Sequence, residues 1–67
     1  MKLKQISYDT YAVWYEYSTE FGVSRKASFY YNTKTNKLEL YEGEFDDVKE
    51  YQNVKDDVEN FLKGLEL

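Results

Sequence analysis

Carboxylates and phenols are the side chains through which this sequence could do chemistry. It contains no His and no Cys, which removes the usual catalytic triads, thiolate nucleophiles and nitrogen or sulfur metal ligands. Two adjacent carboxylate pairs remain, Asp46-Asp47 and Asp56-Asp57. Acid–base work needs a cleft that shifts the pKa of one member, and adjacent residues on a helix point in different directions. The pairs therefore read as a solvated helix face. A spaced Asp/Asn loop ending in Glu, as an oxygen-ligand calcium site requires, is missing, and Gly22, Gly43 and Gly64 are isolated, so they form no phosphate-cradling loop. The expectation is a protein that is not an enzyme and uses neither cofactor nor metal.

Recognition of another molecule is left, and two groups of residues are candidates for it. The first is an acidic stripe of Asp46, Asp47, Glu50, Asp56, Asp57 and Glu59, which presents carboxylates at phosphate-like intervals. A nucleic-acid mimic or a cation-seeking adaptor would use such a stripe, and so would any helix kept soluble by charge. The second is aromatic. Trp14, Tyr30 and Tyr41 fall in one phase of the strand pattern, flanked by Lys26, Lys37, Glu16 and Glu39. Three aromatic rings on an uncovered sheet face mark a partner surface, for another protein or for a second copy of the chain.

The strand and helix pattern sets where these residues lie. Tyr11 to Tyr17 is the central stretch, with five of its seven residues Tyr, Trp or Val, types that fit a pleated, half-buried surface. Alternation puts Tyr11, Val13, Tyr15 and Tyr17 on one face and Ala12, Trp14 and Glu16 on the other. Residues 25–32 alternate as well, with Ala27, Phe29 and Tyr31 as the better core set; residues 37–42 continue that phase through Leu38 and Leu40. If Val13, Phe29 and Leu38 face inward, Trp14, Tyr30 and Tyr41 face outward. The opposite assignment, with Trp14 inside, exposes Tyr15 and Tyr17 and leaves an aromatic patch too.

Residues 2–8 complete the sheet as an edge strand, and Asp9-Thr10 offers a turn or bulge before residues 11–18. Gly22 and Asn36 tolerate the positive φ that the two later hairpin loops need. From Phe45 the period changes to about 3.6 residues: Val48, Tyr51, Val54, Val58, Phe61, Leu62 and Leu65 form one stripe of an amphipathic helix over residues 46–65. Asn53 could cap a second helix, which would put a kink at residues 52–53. The predicted fold class is α+β, one domain: a small antiparallel meander of three to four strands with a C-terminal helix on one face.

Composition narrows the partners. Residues 1–42 carry six Lys or Arg against five Asp or Glu, and residues 43–67 carry three against eight. The acidic balance is thus all C-terminal, and generic duplex binding through phosphate neutralisation is disfavoured. Stacking of single-stranded bases on the aromatic face is a further alternative, although the Gly-aromatic signature and βαβ order of the common readers are missing. No run reaches the roughly 20 apolar residues of a membrane span, and no apolar secretion region follows Met-Lys-Leu-Lys-Gln, so a cytoplasmic protein is expected. Eight Lys to one Arg, with many Tyr, Asn and Phe, is the bias of AT-rich coding and points to a bacterium or its phage. Together these observations predict a non-enzymatic protein-interaction module, an accessory or inhibitor protein acting through an aromatic sheet face and an acidic helix. An acidic nucleic-acid mimic that blocks a DNA-binding protein is the alternative.

Overall fold

The computed structural model describes residues 1–66. Four strands, β1 (Lys2–Ser7), β2 (Thr10–Ser18), β3 (Ser24–Asn32) and β4 (Lys37–Gly43), precede one helix, α1 (Val48–Gly64). The strands form an antiparallel sheet in the order β1-β2-β3-β4. The fold is the expected α+β meander with a C-terminal helix.

The β2–β3 ladder is regular over its whole length, from Thr10 opposite Asn32 to Ser18 opposite Ser24. Its loop closes through the Gly22 N–H, which donates to the Thr19 carbonyl at 2.9 Å, with Gly22 at φ +79°. Asn36 takes φ +56° in the β3–β4 turn, where the Asn32 side chain accepts from the backbone N–H groups of Lys34 and Thr35. A short polar side chain is what tolerates that left-handed conformation. The β1–β2 turn is fastened to the β3–β4 turn: the Thr33 N–H donates to the Asp9 carbonyl at 2.8 Å. The Asp9 carboxylate in turn accepts from the hydroxyls of Ser7 and Thr10.

Both outer strands are interrupted. On β1 the register shifts at Ile6, and on β4 Tyr41 is an extra residue between the Phe29–Leu40 and Ser28–Glu42 pairs. The second bulge passes Gly43 to the helix side opposite Ala27. A Cβ there would meet the Ala27 Cβ at 3.2 Å and Phe45 Cζ at 3.3 Å, so the position is close-packed.

The helix covers the centre of the sheet. Val54, Val58 and Leu62 are buried against Val13, Ala27 and Phe29, with Leu3, Tyr15, Tyr17, Tyr31, Leu38, Phe45 and Phe61 packed around them. It is continuous through Gln52 and Asn53. Asp47 is its N-cap, accepting from the Glu50 N–H at 2.7 Å, and the Glu50 carboxylate reaches back to the Asp46 N–H. This resembles a capping box displaced by one residue at its return bond.

The buried stripe is narrower than the periodicity predicts. Val48 is 81 % exposed and Leu65 is exposed too, because Val48 is the first helical residue, next to the Asp47 cap, and Leu65 is itself the C-cap. Leu40 keeps the inward phase yet is also exposed. A single helix, roughly 10–12 Å across, cannot cover four strands spaced about 4.8 Å apart, and β4 lies at the edge.

Candidate functional site

Alternation along β2 and β3 divides the sheet into a helix-covered face and an open one. Val13, Ala27 and Phe29 take the covered side. Trp14, Tyr30 and Tyr41 consequently stand on the open side, 41 %, 39 % and 59 % exposed. Tyr41 reaches Tyr30 because its bulge leaves it pointing the same way, and their ring centroids lie 5.0 Å apart at a tilt of 41°. Such tilted contacts suit the positive edge and negative face of aromatic rings.

The open face is built in cross-strand rows. From β1 to β4, one row reads Lys4, Ala12, Tyr30, Glu39, and the next reads Lys2, Trp14, Ser28, Glu42. Glu16 and Lys26 oppose each other in a third, their charged groups 3.9 Å apart and both well exposed. The aromatic residues thus run between a basic β1 border and a β4 border that carries Glu39 and Glu42 beside them, with Lys37 at its start. Of the flanking charges, sequence alternation identifies Glu16, Lys26, Lys37 and Glu39. Lys2 and Lys4 escape it because the apolar spacing of β1 is irregular; their positions on either side of Leu3, an inward residue, carry the missing signal. Glu42 escapes because the bulge turns it outward.

Most of the acidic residues are engaged in local contacts, and Asp46, Asp47, Glu50 and Asp57 line one cleft, whereas Asp56 lies outside it. Asp46 pairs with Arg25 at 2.7 Å, Asp47 caps the helix, and Glu50 holds the Asp46 backbone. Asp57 accepts a hydrogen bond from the Tyr15 hydroxyl at 2.9 Å, and Asp56 accepts one from Gln52. The stripe of carboxylates thereby divides into capping groups at the N-terminus, a group turned toward β2, and Asp56 on the outer side. Adjacent helical residues diverge by about 100°, which is why Asp56 and Asp57 separate.

A cleft of about 280 Å³ lies between the first half of α1 and the β2–β3 loop, with Tyr15, Tyr17, Phe21, Glu50 and Asp57 in its lining. The Tyr15 and Tyr17 ring centroids lie 5.4 Å apart at a tilt of 34°. Burial first, and then the hydrogen bond to Asp57, pushes the Tyr15 phenol above its ordinary value; burial followed by the Glu50 carboxylate does the same for Tyr17. Both are held neutral, as donors rather than bases. Phe21 at the loop tip is exposed.

Among the described residues, no helix is long and apolar enough to cross a membrane. No family model, no curated protein and no solved structure matches the chain.

Proposed function

We propose that this chain is a non-enzymatic protein-interaction module that docks a protein partner on the open face of its sheet. The observation that carries the reading is that Trp14, Tyr30 and Tyr41 all stand on the one sheet face the helix does not cover, the last two with their rings in contact. Large rings with few rotatable bonds are typical anchors of protein interfaces, and charged residues at their border exclude wrong partners. Lys2 and Lys4 on one side and Glu39 and Glu42 on the other provide that border. The acidic helix supplies solubility on the opposite side.

The test uses the chain as bait in an extract of its native host. A partner docked on the open face is retained by the wild type and by Asp56→Asn, and is lost with Trp14→Ala or Tyr30→Ala. Circular dichroism of the two sheet variants should match the wild type. Retention undiminished in both sheet variants would reject the face, and loss in Asp56→Asn alone would transfer the function to the acidic helix and the mimic reading.

A further inference from the structure

We propose that the molecule docked on the open face is a second copy of this chain, stacked sheet on sheet about a two-fold axis that runs parallel to the strands between β2 and β3. This rests on the reading of that face as a docking surface and adds its occupant and register.

The cross-strand rows carry the argument. A two-fold axis along the strands preserves position along each strand and reverses the order across the sheet, so β1 lies over β4 of the second copy and β2 over β3. Applied to the first row, the operation sets Lys4 opposite Glu39 and Ala12 opposite Tyr30; applied to the next, it sets Lys2 opposite Glu42 and Trp14 opposite Ser28. The third row sets Glu16 opposite Lys26. Every charge in these three rows meets its opposite, and their two large rings, Trp14 and Tyr30, meet small side chains; Tyr41 at the bulge and Lys37 opposite Asn32 lie outside these rows. Because the contact is isologous, each pairing occurs twice.

The competing arrangements are worse. An axis perpendicular to the strands lays β1 on β1, which brings Lys2 and Lys4 of the two copies together and leaves Glu39 and Glu42 likewise opposed. Edge-to-edge addition is obstructed, since β1 and β4 are each broken by a bulge and carry Lys or Glu at outward positions, the devices that blunt exposed strand edges. Helix-to-helix contact would oppose two acidic surfaces.

The size of the face sets the strength. Four strands at about 4.8 Å and about seven residues at roughly 3.3 Å each make a plane of about 440 Å² per copy. The pair therefore buries on the order of 900 Å² before side-chain relief is counted, below the ~1,200 Å² of standard stable interfaces. A reversible, concentration-dependent dimer follows.

Sedimentation across a concentration series is the first measurement, on the wild type and on exposed-face variants. The wild type should pass from monomer to dimer, and Trp14→Ala should weaken the dimer by roughly thirtyfold or more, as removal of a central aromatic anchor does. Lys4→Glu and Glu39→Lys should each weaken it about tenfold, and the double variant should recover to within about threefold of wild type. In a chain without native cysteine, a short bismaleimide of about 10 Å should link Lys4→Cys to Glu39→Cys in a mixture and fail to link Lys4→Cys to itself. A wild type that stays monomeric at every concentration overturns the dimer. So does a dimer indifferent to Trp14→Ala, an unrecovered double variant, or self-linking of Lys4→Cys. A monomer that still captures a foreign protein in a Trp14-dependent way would remove the second copy while leaving the docking surface intact, and so separates failure of this inference from failure of the function it rests on.

Discussion

Replacing Asp47 by alanine removes the side chain that accepts the Glu50 N–H at 2.7 Å and caps α1. Loss of an N-cap acceptor costs about 1 kcal/mol, within a range of about 0.5–2, and loss of a negative charge at the helix N-terminus adds about 0.3–1. The sum, roughly 1–2 kcal/mol, is a substantial part of the ~3–10 kcal/mol that a chain of this size has in total. At about 4–8 °C per kcal/mol, the thermal midpoint should fall by roughly 5–15 °C. Asp47→Asn keeps the acceptor and loses only the charge, so its midpoint should fall by no more than about 8 °C, and by less than that of Asp47→Ala. Asp56→Asn, on the exposed outer side of the helix where Asp56 accepts from Gln52, should change stability by less than about 0.5 kcal/mol. Thermal melts of the three variants, followed by circular dichroism at the helix band, make the comparison. If the asparagine variant melts as early as the alanine variant, or the Asp56 control falls equally far, the capping reasoning is wrong and Asp47 returns to the list of candidate binding carboxylates.

Val58→Ala empties the most enclosed position of the helix face, where Val58 is fully buried; two lost methyl groups, less the better helix propensity of alanine, should destabilise by about 2 kcal/mol in urea titrations, whereas Val48→Ala should be near neutral. Gly43→Ala forces a methyl to within 3.2 Å of the Ala27 Cβ, and an overpacking cost of about 1–3 kcal/mol should exceed the ~0.4–1 kcal/mol gained from a stiffer unfolded chain; a stabilised variant in the same titration would show that β4 gives way. Tyr15 has a raised folded pKa from burial and then Asp57, so its contribution is fully present below the unfolded value near ~10 and is lost as pH rises through the folded value. Stability measured from neutral pH upward should decline above about pH 10, and Tyr15→Phe should reduce that decline while leaving the phenolate absorbance of one tyrosine missing from the late part of the titration.

Period carried most of the fold. The alternation of Val13 with Trp14 and of Phe29 with Tyr30 was enough to divide the faces, because a strand has only two sides. A helix has no such sharp division, and the stripe that included Val48 and Leu65 extended beyond the sheet available to cover it. Bulges were the other obscured feature. Nothing local marks Ile6 or Tyr41 as an extra residue; a bulge belongs to the pairing of two strands, and the pairing partner is distant in sequence. This is why alternation alone leaves Glu42 off the candidate face. The acidic candidates were separable only with tertiary contacts in hand, since a carboxylate that accepts from Tyr15, or pairs with Arg25, has the same local sequence appearance as a free one.

The strand order has a consequence for how quickly this protein reaches its structure. Each strand pairs with its neighbour in sequence, so the ladders grow by short loop closures, and the one long closure is the return of α1 across the sheet. With the unbroken β2–β3 hairpin as nucleus, perturbations at Val13 and Phe29 should slow folding and those at Val58 should speed unfolding, as the two arms of a chevron measurement would read. Because the chain contains no proline, refolding has no prolyl isomerisation phase of tens of seconds to delay it.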